Sequence, residues 1–133
     1  MIKNLLLIGL GGGVGSILRY LLSLSIQYYL PLNRHYLATL TINFLGSLII
    51  GIGFYQMMIN KQWQEKIGYL LIVGFCGGFT TFSTFAYENF VLINNQQYLQ
   101  FIIYTLLSVC FCIGGVALGF FIFKNYQKIN AYL

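Results

Sequence analysis

Charge is what this sequence has least of. Two acidic residues, Glu65 and Glu88, stand beside seven lysines and arginines and one histidine in 133 residues. Charged residues make up 7% of the chain, where a soluble domain carries about 25%. Cysteine is also scarce. Cys76, Cys110 and Cys112 all lie in apolar segments, with no C-x-x-C spacing and no histidine near them. They read as small buried hydrophobes rather than metal ligands or a redox pair. A basic stripe with interleaved aromatics is missing, which argues against nucleic-acid binding. Nothing forms a hydrolytic triad or a metal cluster, so an enzyme is not expected. Internal repeats and low-complexity segments are absent, and no polar run is long enough to make a soluble domain.

What remains is apolar. The chain is 59% hydrophobic with a mean hydropathy of +0.79, which marks an integral membrane protein. A membrane span takes about 20 apolar residues, and four runs of that kind are present, near residues 5–26, 38–59, 67–93 and 101–123. The joints between them are short: PLNRHY at 31–36, NKQWQEK at 60–66 and NNQQ at 94–97. Short joints make neighbouring helices antiparallel, so the expectation is one four-helix transmembrane domain over residues 1–133. The first run lacks an A-x-A-like cleavage site and continues to Arg19 and Tyr20, so it reads as a retained span. His35 sits in a joint and is read as solvated.

Polar residues inside spans are costly in lipid and normally face protein or water. In the second run Thr39, Asn43 and Ser47 are spaced i, i+4, i+8, which puts them on one helix face. Tyr104, Ser108 and Cys112 repeat that spacing in the fourth. Interhelical hydrogen bonding is the plain reading of such stripes. Asn43 points further, because an amide offers two donors and an acceptor that must all be met. The stretch GLGGGVGSILRY in the first run misses the G-x-G-x-x-G spacing, with Val14 at the third glycine's place, and no strand precedes it; a nucleotide-binding loop is rejected. Gly9-x-x-x-Gly13, Gly11-x-x-x-Gly15 and Gly115-x-x-x-Gly119 instead suit close helix packing. Arg19 and Glu88 are the ionisable residues within or near the spans. Both approach the same side of the membrane, either snorkelling or lining a vestibule that concentrates anions.

The third run holds GFCGGFTTFSTF, residues 74–85, with three glycines, four hydroxyls and four phenylalanines. Glycine costs about 1 kcal/mol relative to alanine in a helix interior, and serine and threonine compete there for backbone hydrogen bonds. A break in the helix is therefore expected near its middle. Carbonyls freed at that depth must be satisfied inside the protein, and oxygen of this type suits a small hard cation such as Na⁺. Phe75 and Phe79 read as packing. Phe82 and Phe85 have packing as the plain alternative, but an aromatic ring also has a positive edge, which suits a small anion.

In these motifs the chain resembles the Fluc (CrcB) fluoride channel family of bacterial inner membranes. The resemblance rests on GGGVGSILRY in the first helix, TLTINFLGSLIIG in the second, GFCGGFTTFSTFAYE in the third, and a fourth helix bearing serine and glycine. It implies an antiparallel, dual-topology dimer with two fluoride pores. It implies a central structural Na⁺ held by the main-chain carbonyls of Gly77 and Thr80 from both subunits. Phe82 and Phe85 then become ring-edge fluoride contacts, and Asn43 the amide that positions fluoride against them. Tyr104 and Ser108 continue a polar track, with Thr39 assisting; Arg19 corresponds to the family's first-helix arginine and Glu88 to its vestibule acid. Cys112 departs from the pattern, since members can carry a hydroxyl there. The implied role is passive export that lowers cytoplasmic fluoride toxicity.

Two rival classes share the outline. A small proton-coupled multidrug transporter needs a mid-membrane carboxylate, but the first helix has none and Glu88 lies near a helix end. A non-conducting assembly subunit leaves the Asn43 stripe and the broken helix without purpose. On one side of the membrane lie Lys3, Lys61, Lys66, Lys124 and Lys128; on the other only Arg34, with Arg19 nearby. That bias favours cytoplasmic termini. A homodimer inserted both ways is the favoured expectation, and a heterodimer with a paralogue of opposite topology the alternative.

Overall fold

The computed structural model describes residues 1–29, 36–61 and 64–130. Arg34 and His35 lie outside the described residues. Four helical spans, Ile2–Tyr29, Tyr36–Ile59, Gln64–Asn94 and Tyr98–Asn130, are each long and apolar enough to cross a membrane. The described residues contain no strand. Each span outruns its apolar stretch at one or both ends, because backbone hydrogen bonding carries a helix on through its polar margin. At about 1.5 Å per residue the fourth helix is longer than the roughly 30 Å hydrocarbon core.

The third span is broken where the glycines and hydroxyls put the weakness. A helical turn, Gln64–Lys66, leads into a π-helical run, Ile67–Cys76, and a turn, Gly77–Phe79. Thr80 and Thr81 are then extended, at φ −78°, ψ 158° and φ −148°, ψ 114°, before an α-helix resumes at Phe82–Asn94. The sequence reading had the break but not the π-helical run. That geometry is rare beyond a single turn, and it covers the part of the span that faces the first helix.

The first helix packs mainly on this N-terminal half, the second mainly on the fourth, and Phe82–Asn94 lies against the second and fourth. Backbones meet almost directly. A methyl group added at Gly11 would strike the Leu70 carbonyl and stand 2.8 Å from the Phe75 nitrogen. One added at Gly15 would strike the Phe75 carbonyl and stand 2.9 Å from the Phe79 nitrogen. The expected Gly11/Gly15 face is thus present. Gly9 and Gly13 are not part of it: nothing lies within 4 Å of a methyl at either position. Two residues turn a helix by about 200°, so this second pair points away from the third span. Gly115 and Gly119 behave as expected, with Gly119 against the Leu48 carbonyl and Gly115 3.1 Å from that of Phe44.

These contacts make a prediction. Gly15→Ala pushes a methyl into two backbone groups that have no flexible end to yield. Overpacking of this kind costs about 1–3 kcal/mol, so folded yield and melting temperature in detergent should both fall.

Beside the break the core gathers around Leu40, Leu92 and Tyr104, with Phe85, Phe101, Tyr36 and Leu37 against it. The joint after Asn94 closes tightly. The Gln97 N–H donates to the Leu92 carbonyl and the Gln96 N–H to that of Ile93, both at 2.9 Å. Gln96 takes the left-handed φ of 59° that this capping turn requires.

Candidate functional site

Asn43 holds the break open. Its Oδ1 accepts from the Thr81 N–H at 2.8 Å, and its Nδ2 donates to the Thr81 carbonyl at 3.1 Å. The amide thus takes the place of Gly77 as partner of the Thr81 N–H and adds a second donor to the Thr81 carbonyl, which as N-cap already accepts the first bond of the resumed helix. Its second Nδ2 hydrogen makes no hydrogen bond among the described residues. Gly46, almost one turn further along the second helix, lets that helix approach: a methyl there would strike the Thr80 methyl.

The break leaves the carbonyls of Gly77, Gly78, Phe79 and Thr80 without their regular helical donors. In an unbroken helix the Thr81 N–H would close on Gly77, and the Thr84 N–H on Thr80. The first is taken by Asn43. The second donates to Thr81 Oγ1 at 3.2 Å, where Thr81 caps the new helix. For Gly77 and Thr80 the lost donor is held by a side chain, while the Phe82 and Ser83 N–H groups that would serve Gly78 and Phe79 open the first turn of the new helix. The intervening Gly78 carbonyl accepts from Ser16 Oγ at 3.4 Å. The described residues contain no cluster of His, Cys, Asp and Glu able to hold a metal. Main-chain oxygen at the break is chemically suited to a small hard cation. Two such oxygens from one chain form only part of a cage.

The polar stripes converge as their spacing requires. Thr39 Oγ1 donates to Glu88 Oε1 at 2.8 Å, and the Tyr104 hydroxyl donates to Oε2 at 2.6 Å. Thr39 and Tyr104 are buried and Glu88 half-buried. Ser108, one turn along from Tyr104, is 6% exposed and its hydroxyl has no hydrogen-bond partner among the described residues. Ser47 is also buried, against Gly115. Cys112, at the far end of this stripe, is half-buried with a free thiol.

The rings divide. Phe75 and Phe79 stack at 5.4 Å, with planes 12° apart, and Phe79 is buried, which is the packing role expected of them. Phe85 lies 5.3 Å from the Tyr104 ring and 5.5 Å from that of Phe82. Phe82 is 79% exposed, so one chain by itself does not enclose it. Arg19 is half-buried and its Nε is shielded without a hydrogen-bond partner; the structure does not bring it into an ion pair with Glu88.

Asn89 and Thr105 escaped the sequence reading. Asn89 is 6% exposed; its Nδ2 donates to the Phe85 carbonyl and its Oδ1 accepts from Thr105 Oγ1, each at 3.0 Å. A second asparagine inside a span was the available signal. Ser16, also overlooked, reaches the break from the first helix.

Comparison with known proteins follows this geometry. A model of the CrcB-like protein family (camphor resistance, CrcB) matches residues 6–120. A "Fluoride-specific ion channel FluC" of Gloeothece citriformis is 46% identical over 123 residues, covering 92% of this chain and 98% of the relative. Its namesake from Leptospira interrogans serovar copenhageni is 42% identical over 132 residues, covering 93% and 97%. Another, from Methanococcus maripaludis, is 42% identical over 119 residues, covering 88% and 93%. With similarity running through all four spans and across the break, the chain belongs to the CrcB-like (Fluc) family.

Proposed function

We propose that this chain is a subunit of a fluoride-specific ion channel, a multi-pass protein of the bacterial inner membrane that lets fluoride leave the cytoplasm passively. Relatives named for that activity align along nine-tenths of the chain. They point to a channel rather than an enzyme. The observation that carries the mechanism is the break at Thr80–Thr81, with its two diverted backbone donors.

Fluoride that has shed water needs donors that hold it without trapping it. Phe82 and Phe85 offer ring edges, and Asn43 a remaining amide hydrogen. The unengaged Ser108 hydroxyl adds a donor along the track, Thr39 and Tyr104 line it with their protons turned to Glu88, and Arg19 raises anion concentration in the vestibule. The exposure of Phe82 supports a second copy that closes the pathway. Apposing two breaks about a two-fold axis would double the carbonyls of Gly77 and Thr80 to four. A Na⁺ held there would neutralise oxygen dipoles at the subunit junction as a structural ion, not a transported one. An antiparallel homodimer with two pores fits this arrangement. The five lysines at one end leave a heterodimer of opposite-topology chains as the alternative assembly.

Cation replacement tests the reading. Exchanging Na⁺ for N-methylglucamine during reconstitution should reduce fluoride efflux and weaken the dimer. Thr80→Ala should matter less, because the proposed ligand is main chain. Efflux and dimer stability indifferent to every monovalent cation would remove Na⁺ from the account.

A further inference from the structure

We propose that Asn89 and Thr105 are positioning residues for the ion pathway: the hydrogen bond between them fixes how Phe82–Asn94 is turned against the fourth helix and so places the Phe85 ring against Tyr104. This rests on the channel reading above and assigns a role to two residues outside the pathway itself.

An amide in the membrane interior is costly unless both its ends are met, and Asn89 meets both. Its Nδ2 is tied to the Phe85 carbonyl, on its own helix, at 3.0 Å. That bond orients the amide so that Oδ1 faces the fourth helix, where Thr105 Oγ1 donates to it at 3.0 Å. The neighbouring residues repeat the connection one step earlier, since the Tyr104 hydroxyl donates to Glu88 at 2.6 Å. Consecutive residues on a helix point about 100° apart. Two bonds from adjacent residues of Phe82–Asn94 to adjacent residues of the fourth helix, itself held by its packing on the second, therefore fix rotation as well as distance between the two.

What that rotation controls is the pathway's ring pair. The Tyr104 ring lies 5.3 Å from Phe85, tilted by 58°. Tyr104 stays in its core beside Leu40 and Leu92 when the Thr105 bond is lost, but Phe82–Asn94 can then turn slightly against it and change the angle between the two rings. The edge that Phe85 presents is a matter of ring angle, so a change invisible to overall packing would alter conduction.

The test uses the full chain, purified as the dimer and reconstituted. Thr105→Val removes the donor at nearly constant shape, Thr105→Ser restores it, and Asn89→Leu removes the acceptor. Fluoride efflux is measured per assembled dimer. A misplacement of about 1 Å can cost about a hundredfold in rate, so for the smaller shift here a loss of about tenfold is expected for Thr105→Val and Asn89→Leu. Thr105→Ser should stay close to the unsubstituted rate. The double variant should be no slower than Asn89→Leu alone, which already lacks the Thr105 bond and also gives up the bond to the Phe85 carbonyl. A purely structural pair would lower dimer yield or melting temperature and leave efflux per dimer unchanged. That result, or losses that multiply in the double variant, overturns the proposal. Should Asn89→Leu fail to assemble, the two Thr105 variants decide. Failure of the underlying reading shows separately, as absence of fluoride efflux in the unsubstituted chain.

Discussion

Phe82→Ile should cut fluoride efflux by about a hundredfold, the scale on which a dehydrated site loses rate when one pre-placed charge-stabilising contact is removed. Isoleucine keeps much of the bulk and lacks the positive edge. Phe85→Ile should have a comparable effect, but it also disturbs the contact with Tyr104. Phe82 gives the cleaner result: at 79% exposed it contributes little to packing within its own chain. The variant is therefore expected to fold, and size-exclusion chromatography should still recover the dimer. Unchanged efflux from both variants, measured with a fluoride electrode, would return these rings to packing.

Asn43→Leu should be the more damaging substitution, because it strikes the fold and the pathway together. Thr81 is 9% exposed, and the change strips the partner from its N–H and one of the two donors from its carbonyl. A buried backbone group left unmet costs about 1–3 kcal/mol. The cheapest escape is for the Thr81 N–H to return to the Gly77 carbonyl, which heals the helix and withdraws an oxygen from the proposed cation site. Efflux should vanish and the melting temperature fall. Asn43→Asp separates the two roles. Its carboxylate still accepts from the Thr81 N–H but donates nothing and adds negative charge beside the anion path. It should assemble better than the leucine variant and conduct no better. Normal efflux from Asn43→Leu would show that the amide serves neither role.

The four spans were legible because apolar runs of membrane length leave no other reading, and the break because Gly77, Gly78, Thr80 and Thr81 lie together within one. The inward stripes were legible for the same local reason: a spacing of four keeps Thr39, Asn43 and Ser47 on one face whatever the neighbours are. What sequence could not supply was the identity of those neighbours. Gly9/Gly13 and Gly11/Gly15 are equivalent as spacings, and only the position of the third span chooses between them. The π-helical run is likewise a property of two segments in contact. Asn89 and Thr105 are sixteen residues apart on different helices, and neither forms a stripe, so only their pairing reveals them. The engagement of Thr39 and Tyr104 with a single carboxylate, Glu88, also depended on three elements meeting.

The central claim is passive, fluoride-selective conduction, and the direct measurement is ion release from liposomes containing the purified chain. Vesicles are loaded with potassium fluoride or potassium chloride in the presence of Na⁺, diluted, and opened to potassium with an ionophore. The account predicts rapid fluoride release with chloride retained, at a rate indifferent to an imposed proton gradient. Fluoride retained, chloride released as readily, or release that requires the proton gradient would contradict it.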